Sequence, residues 1–286
     1  ILGPRLNAAG RMESALQAYD LLVSSDPQTA GVCAQILESQ NTERQLATKK
    51  AQEKALLEIT DPNAQKILFS FSEEYSSGIV GLVASKLVEN FYRPAVIGQI
   101  ENGLIRASCR SINEFHITAA LDECADLLVR HGGHAMAAGF TVQQENAEAL
   151  KQRLQAIAER ELGEKDLRPV VRADLEIEIN RIKPSFFSEL ERFQPTGMGN
   201  PTPVFVSRGV ELEGLRIMGK EGGHLQFFVR GCAINRGVAF NQAHWHEIWL
   251  EDKPKFDIAY TIDINHYNGQ ETQQLNIRDM KISTAG

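Results

Sequence analysis

Two adjacent glycines followed by histidine and a run of small residues constrain the fold of this chain more than any other stretch. The segment begins Gly132-Gly133-His134 and continues through alanine, methionine and glycine to Phe140. Glycine lets the backbone approach a ligand and adopt positive φ angles. Successive N–H groups can then converge on an anion, while the His134 imidazole adds a donor. The stretch therefore predicts a loop that cradles a phosphate group, with small residues packed tightly behind it.

Composition bounds the kind of protein to which such a loop could belong. The 286 residues are 43% hydrophobic, as in a folded protein of two or three domains. The longest apolar run, residues 78–88, is interrupted by Ser85 and Lys86, and no signal peptide is visible. We therefore expect no membrane association and a cytoplasmic location. The four cysteines form no Cys-x-x-Cys pair, which disfavours a zinc ribbon or a disulfide framework.

The charge balance limits how this chain could bind nucleic acid. Its formal net charge is −7, whereas a general nucleic-acid binder is normally basic. Any such role must therefore depend on local basic patches. The chain also enters a motif-dense stretch directly from Ile1, so we expect it to be a piece of a longer protein, part of whose function precedes that residue.

The middle of the chain predicts a long helix followed by a small α/β domain. Residues 29–60 contain no proline and are rich in Ala, Gln, Glu and Lys, and Asp61-Pro62 follows. The polar middle of this helix is typical of a bridge between domains. Residues 63–166 then read as strand, apolar helix, strand, an Asn102-Gly103 hairpin, a helix over about residues 118–129, the glycine-rich loop and a last helix.

The rest of the chain changes to the alternation of apolar and polar residues that half-buried strands show. Five or six short strands in roughly a hundred residues close easily into a barrel, so an OB-like β-barrel is the natural candidate. The predicted fold class is therefore α/β plus all-β, with a small α/β domain, a long connecting helix and a barrel.

A second candidate anion site lies in the α/β domain, at Ser108-Cys109-Arg110-Ser111. The strand that precedes it would present a guanidinium flanked by two hydroxyl groups. Arginine offers a planar fork that matches two phosphate oxygens, and serine adds a small rotatable donor. The alternative is a structural role, in which Arg110 forms a salt bridge and Ser111 caps a helix or turn.

The first residues form a third motif, in which Arg5, Asn7 and Arg11 surround small residues. They could contact phosphate or line an active site. The alternative is a helix start whose arginines pair with Glu13 or Asp20.

Histidine pairs invite a metal interpretation, which the spacing disfavours. His131 and His134 have no carboxylate or thiolate at matching spacing, and glycines would hold them loosely. His244 and His246 lie in a loop-like stretch and are expected to be exposed. We therefore predict no metal ligands in this chain.

Together these motifs resemble the RecJ family of single-stranded-DNA-specific exonucleases, over essentially the whole chain. The resemblance rests on the motifs above and on three further stretches: Gly78 to Ser85 with Arg93-Pro94, Pro195 to Phe205, and His224-Leu225. It implies residues 1–27 as the end of a DHH catalytic domain, 28–62 as a linker helix, 63–166 as a DHH-associated domain and 167–286 as an OB-fold domain.

The resemblance implies a 5′-to-3′ exonuclease of DNA repair and recombination, which uses two Mn²⁺ or Mg²⁺ ions. The ligands of those ions would lie upstream of Ile1, so this chain by itself would grip DNA without cutting it. The implied partners are single-stranded DNA and, further, a single-strand-binding protein and a helicase, with no membrane.

The resemblance also implies roles for individual residues. His134 and Arg110 would stabilise charge at the reaction centre, and a larger set would bind substrate phosphate: Ser108, Ser111, Gly132, Gly133, Arg5, Asn7 and Arg11. In the barrel the candidates for contact with single-stranded DNA are Arg216, Lys220, Phe228 and Tyr267. Because aromatic residues in barrels are more often core, we expect at least one of Phe227 and Phe228 to be buried.

One departure and two alternatives stay open. Ser76 stands where many relatives have histidine, so either that histidine is dispensable or this chain handles its substrate differently. The chain could instead belong to a DHH-family phosphodiesterase of short oligonucleotides or cyclic dinucleotides, although the C-terminal barrel speaks against this. It could also act by itself as a non-catalytic module that binds single strands.

Overall fold

The structure is a computed structural model that describes residues 2–219, 222–267 and 269–284, with the side chains of all of these except residues 266 and 267. The chain divides into two compact units, Ile1–Pro169 and Val170–Gly286. The predicted fold class is confirmed in outline, because the first unit is α/β and the second is rich in strands. No helix in the described part of the chain is long and apolar enough to cross a membrane.

The first unit begins with three helices: α1 (Leu2–Met12), α2 (Leu16–Val23) and α3 (Pro27–Glu58). Asp26 caps α3 by accepting hydrogen bonds from the backbone N–H groups of Gln28 and Thr29, at 3.2 and 3.0 Å. The hydrogen bonds from Thr29 and Gln28 lower the pKa of Asp26. Leu37, in the first half of α3, is buried against α1 and α2, while Ala55, near the end of α3, packs with apolar residues of α4 and the first sheet. Each half of the long helix therefore packs against other elements of the first unit.

A five-stranded sheet forms the rest of the first unit, in the order β1-β2-β3-β5-β4. Its elements are β1 (Leu68–Ser72), α4 (Val80–Phe91), β2 (Ala95–Glu101), β3 (Leu104–Arg110), α5 (Ile117–Asp122), β4 (Leu128–His134), β5 (Ala137–Gln143) and α6 (Ala147–Leu162). The predicted β-α-β unit is confirmed, since β1 and β2 are parallel. Asn102 and Gly103 form the predicted hairpin turn, with φ angles of 52° and 74°.

Helices cover the two faces of this sheet unequally. On one face, apolar side chains of the sheet pack with leucine and isoleucine side chains of α5 and α6. On the other face, α4 packs on β2 and β3, where Leu87 meets Ala95 and Ile97. On β4, at the sheet edge, Gly132 and His134 are exposed.

The glycine-rich segment is a strand rather than the predicted loop. Gly132, Gly133 and His134 belong to β4 and pair with Gly139, Ala138 and Ala137 of β5. The prediction of a helix over residues 118–129 is also wrong beyond Asp122, because a 3-10 turn at Ala125–Leu127 leads into the strand at Leu128. A local pattern of glycines suggests a loop, but pairing with β5 gives these backbone groups hydrogen-bond partners in a ladder.

The second unit contains a seven-stranded sheet in the order β6-β7-β11-β12-β10-β9-β8. Its elements are β6 (Leu175–Glu176), α7 (Pro184–Glu191), β7 (Phe205–Val210), β8 (Leu212–Met218), β9 (His224–Val229), β10 (Arg236–Ala239), α8 (Trp245–Asp252), β11 (Phe256–Tyr267) and β12 (Gln270–Ile282). His246 lies within α8, so its predicted loop position is wrong. The second predicted hairpin falls partly on Asn268, which lies outside the described residues.

The prediction of a closed barrel is wrong for the hydrogen-bonded ladder. Among the described strands, no pairing joins β6 to β8, the two ends of the order. Strands β7 and β8 nevertheless follow one another in the chain, separated only by Glu211, and they pair at different places, with β11 and β9. The sheet is thus curled around one apolar core by the continuity of this segment rather than by a closing ladder.

Candidate anion-binding site

Two residues predicted from the sequence, Arg110 and His134, lie on one face of the first sheet. Arg110 of β3 lies opposite Ala137 of β5, and Ala137 lies opposite His134 of β4. Directly opposed residues of antiparallel strands project from the same face. Arg110 and His134 therefore share a face across two strand spacings, or about 10 Å.

The next row of the sheet along the strands supplies a hydroxyl and a floor without side chains. Ser108 lies opposite Gly139, and Gly139 lies opposite Gly132. Since side chains alternate along a strand, this row shares the face of Arg110 and His134. The space between the arginine and the histidine is thus floored by glycine and alanine, which leave room for a ligand.

Hydrogen bonds within β3 and close packing against α4 fix the position of the Arg110 guanidinium. Its Nη1 donates to Ser108 Oγ at 3.0 Å and to the Cys109 carbonyl at 2.8 Å. A Cβ at Gly81 of α4 would lie 3.0 Å from Arg110 Nη2 and 3.0 Å from Ser108 Oγ. Burial, and secondarily the nearby charge of Arg11, lowers the pKa of Arg110. An opposite charge beside this guanidinium would offset that cost.

The end of α1 brings Arg11 to the same place. A Cβ at Gly78 would lie 1.9 Å from the Arg11 carbonyl oxygen, so only glycine permits this approach. Arg11 Nη1 donates in turn to the Gly78 carbonyl at 3.4 Å. Ser76 and Ser77, which precede α4, are exposed beside this contact. Three elements, α1, α4 and β3, thus surround one concentration of positive charge.

This charge is not neutralised within the described part of the chain. Neither Arg11 nor Arg110 has a carboxylate within 4.0 Å there, whereas Arg153 pairs with Asp126 and Arg160 pairs with Glu123. Guanidinium groups with N–H donors to spare, a hydroxyl and a small-residue floor can bind a phosphate group and offset its negative charge.

Other predicted residues of the first unit lie outside this cluster or have structural partners. Ser111 is buried and its hydroxyl donates to the Phe115 carbonyl at 2.6 Å. Arg5 pairs with Glu38, which is neither of the partners expected from sequence. Asn7 is exposed on α1. The His134 carbonyl accepts a hydrogen bond from the Thr118 hydroxyl at 2.7 Å, which anchors the end of β4.

The two adjacent glycines have different roles. Gly133 has a φ of 151°, and a Cβ there would lie 2.4 Å from the Ala137 carbonyl oxygen and 2.5 Å from Ala138 Cα. The fold therefore requires glycine at this position. A Cβ at Gly132 would have no atom within 4 Å, so packing does not require glycine at position 132.

The second unit holds the remaining candidates. Phe227 is fully buried, as expected of one of the pair, while Phe228 is 45% exposed. Arg216 donates to Gln226 Oε1 at 2.8 Å. Lys220 and the Tyr267 side chain lie outside the described part of the structure.

The described residues do not fit a resident metal ion. Over residues 2–219, 222–267 and 269–284, no three His, Cys, Asp or Glu side chains cluster closely enough to hold one, with residues 266 and 267 left aside. His131 Nε2 lies 2.8 Å from Asp122 Oδ1, which gives it a partner within the chain. We therefore derive no chemical step through a metal on this chain.

Sequence reasoning missed the glycines that shape the site and two arginines beside it. Gly78 and Gly81 were visible as a glycine pair at the start of a helix, but their contacts depend on α1 and β3. Arg106 and Arg130 continue the alternation of β3 and β4 on the same face. The alternation of Arg106, Ser108 and Arg110 was the available signal.

An α/β unit followed by a unit built on a curled seven-stranded sheet is the arrangement of a DHHA1 domain joined to an OB domain. The family model for the DHHA1 domain matches residues 64–160, and the model for the RecJ OB domain matches residues 173–279. With both domains in this order, the chain belongs to the RecJ family.

Relatives extend this similarity to nearly the whole chain. The chain is 34% identical to the single-stranded-DNA-specific exonuclease RecJ of Bacillus subtilis, over 99% of this chain and 36% of that protein. It is 31% identical to RecJ of Thermus thermophilus, over 98% of this chain and 39% of that protein. The crystal structure of the Thermus protein in complex with Mn²⁺ superposes with a TM-score of 0.81 at 29% identity, covering 99% of this chain and 41% of that one. The chain thus spans about two fifths of these relatives.

Proposed function

We propose that this chain is the substrate-gripping part of a 5′-to-3′ exonuclease that acts on single-stranded DNA in repair and recombination. The observation that carries the proposal is the pair of guanidinium groups, Arg11 and Arg110, without carboxylate partners among the described residues. The proposed boundaries are those expected from the sequence: residues 1–27, 28–62, 63–166 and 167–286.

In this proposal Arg110 and Arg11 bind the terminal phosphate of the strand. Ser108 donates to one phosphate oxygen, and the exposed His134 contacts the phosphate from the opposite side of the glycine and alanine floor. Gly132 leaves the backbone of the edge strand accessible to the ligand, and Gly133 holds that strand in shape. Arg5, Asn7 and Ser111 contribute by supporting the surrounding helices and turns.

The whole protein would hydrolyse phosphodiesters with two divalent metal ions, Mn²⁺ or Mg²⁺, bound outside this chain. Those ions would activate water, while this chain holds the phosphate in position and offsets its charge. The chain alone is accordingly expected to bind DNA without cutting it.

The second unit is proposed to contact the single strand as well. Phe228 offers an exposed ring for base stacking, and Arg216, Lys220 and Tyr267 are further candidates for contact with single-stranded DNA. A single-strand-binding protein and a helicase are proposed partners of the whole protein, in the cytoplasm.

Fluorescence anisotropy with a 5′-phosphorylated oligothymidine tests the proposed grip. Losing a charge-assisted contact costs about 1.5–3 kcal/mol, so Arg110→Ala should weaken binding roughly 10- to 100-fold. Arg153→Ala, which removes an arginine already paired with Asp126, should leave affinity unchanged.

Two results would overturn the proposal. Equal affinity for Arg110→Ala and the unaltered chain would remove the role of this arginine. Tighter binding of a cyclic dinucleotide than of the oligothymidine would favour the phosphodiesterase alternative instead.

A further inference from the structure

A second basic row lies on the same face of the first sheet, beyond the site described above. Arg106 of β3 lies opposite Thr141 of β5, and Thr141 lies opposite Arg130 of β4. Arg106 is four residues from Arg110 along one strand, so it projects from the same face. At about 3.4 Å per residue, the two rows are roughly 14 Å apart.

The contacts of Arg130 hold its guanidinium over the sheet. Its Nε donates to Thr141 Oγ1 at 3.1 Å, and Thr141 is buried. No carboxylate lies within 4.0 Å of Arg130 among the described residues. Its remaining N–H groups are therefore available to an oxygen-bearing ligand.

Arg106 has one acidic neighbour, which also faces the row. Arg106 Nη1 lies 3.7 Å from Glu101 Oε2, and both side chains are about half exposed. An exposed pair at this distance contributes little. Glu101 therefore weakens the positive potential at Arg106 without blocking the guanidinium.

A cavity joins the two arginines. It has a volume of about 250 Å³, and Arg106, Arg130, Gly139 and Thr141 line it together with three neighbours. No carboxylate is among its lining residues. Gly139 also belongs to the floor between Ser108 and Gly132, so the cavity continues the small-residue surface of the first site.

We propose that Arg106, Thr141 and Arg130 form a second phosphate subsite, for an internal phosphate of the same single strand. The inference rests on the proposed function, because it takes the terminal phosphate to lie at Arg110. The strand then runs across the glycine and alanine floor from the first row to the second. Arg106 and Arg130 bind the internal phosphate from its two sides, and Thr141 positions Arg130.

Two ligands of different length separate this subsite from the first one. A 5′-phosphorylated dinucleotide is too short to span the roughly 14 Å between the rows, whereas a longer 5′-phosphorylated oligothymidine reaches both. In the full chain, the double variant Arg106→Ala/Arg130→Ala should lose about tenfold in affinity for the oligothymidine and nothing for the dinucleotide. Its salt dependence should fall by about 0.7 in slope, because the two arginines together neutralise one phosphate.

Two further variants sharpen the test. Glu101→Gln should raise affinity for the oligothymidine, because it removes the only carboxylate within 4.0 Å of the Arg106 guanidinium among the described residues. The matched control Arg153→Ala/Arg160→Ala removes two arginines that are already paired with carboxylates, and it should change neither affinity nor slope. Thermal unfolding of each variant checks that the sheet stays folded.

The outcomes distinguish the two proposals. If the unaltered chain binds neither ligand, the proposed function fails and the subsite fails with it. If the unaltered chain binds both but Arg106→Ala/Arg130→Ala keeps its affinity and salt slope, the second subsite alone is overturned. An equal loss for the dinucleotide would also overturn it, since the arginines would then act on the first site.

Discussion

Two arginines of the second unit, Arg208 and Arg230, and Arg110 of the first unit are held in opposite ways. In the second unit, Arg208 bonds Glu176 at 2.9 Å and Arg230 bonds Glu211 at 2.8 Å, and these carboxylates raise the pKa of each arginine. In the first unit, burial lowers the pKa of Arg110, and no carboxylate pairs with it in the described part of the chain. A paired guanidinium is already neutralised, whereas a partly buried, unpaired one is stabilised by an incoming anion.

This difference explains how an acidic chain can carry an anion site. The net charge of −7 is a sum over all charged residues, including arginines whose charge is already neutralised by a carboxylate. The potential that a phosphate meets depends on which arginines lack partners. Binding tests should therefore target the first sheet, with paired arginines as controls.

Disrupting the first sheet alone should have the largest effect on the comparison between the two units. Gly133→Ala would place a Cβ 2.4 Å from a backbone oxygen of β5, and we expect it to destabilise the first unit by about 3 kcal/mol or more and to remove the contribution of Arg110 to oligothymidine binding. Both tryptophans, Trp245 and Trp249, lie in the second unit, so their fluorescence should still report a folded second unit.

Gly132→Ala is the matched control for that prediction. Its Cβ would have no atom within 4 Å, so thermal stability should stay within about 0.5 kcal/mol. Equal destabilisation by the two alanines would contradict the different roles assigned to the two glycines.

Filling the space beside Arg110 should separate binding from stability. Gly81→Ala would bring a Cβ within 3.0 Å of Arg110 Nη2, and the flexible guanidinium can move away. We expect about a tenfold loss of oligothymidine affinity, with stability kept within about 1 kcal/mol. Gly31→Ala in α3, where a Cβ meets nothing within 4 Å, should leave affinity unchanged and gain about 0.5–1 kcal/mol. Unchanged affinity for Gly81→Ala would show that the guanidinium position does not matter.

Acid should weaken the second unit through its ion pairs. Hydrogen bonds from Arg230 and then Lys255 lower the pKa of Glu211. Its contribution to stability is fully present above the unfolded value of about 4.3 and is lost as pH falls through the lower folded pKa. Tryptophan fluorescence during urea unfolding should record a small loss of stability across that window, which Glu211→Gln should reduce. The same acid dependence in both proteins would assign the loss to other carboxylates.

Cysteine labelling should give the smallest effect, because the native thiols of both units are unreactive. Burial raises the pKa of Cys109 to about 12 and that of Cys124 to about 11, and it also raises that of Cys232. The thiolate is the reactive form, so a thiol reagent at pH 8 should label the native chain very slowly and label all four cysteines after denaturation. Rapid labelling of Cys109 would show that the first sheet opens more readily than its packing suggests.

Local signals carried much of the fold prediction, and their failures are instructive. The apolar helix at α4, the Asn102-Gly103 turn and the long α3 all depend on residues adjacent in the chain, and they were predicted. The Gly132-Gly133 stretch was assigned to a loop because glycines resemble a loop locally. Its strand conformation depends on register with β5, which a pattern of single residues does not contain.

The residues of the candidate site were likewise predicted only in part. Arg110, Ser108 and His134 were found as motifs, but Gly78 and Gly81 gain meaning only from atoms of Arg11 and Arg110 that lie within 3 Å of where a Cβ would be. That Arg106 and Arg130 lie in one row across the sheet follows only from the pairing of β3, β5 and β4. This pairing includes a register shift in β4 between Leu128 and Arg130.

The sequence by itself determined the order of helices and strands, the family resemblance and the residue types suited to a phosphate, because these are encoded in short stretches. Only the tertiary structure decided that the glycine-rich stretch is an edge strand, that the second sheet does not close by its ladder, and which arginines lack partners. Those outcomes depend on strand register, desolvation and the distances between charges, which are set by residues far apart in the chain.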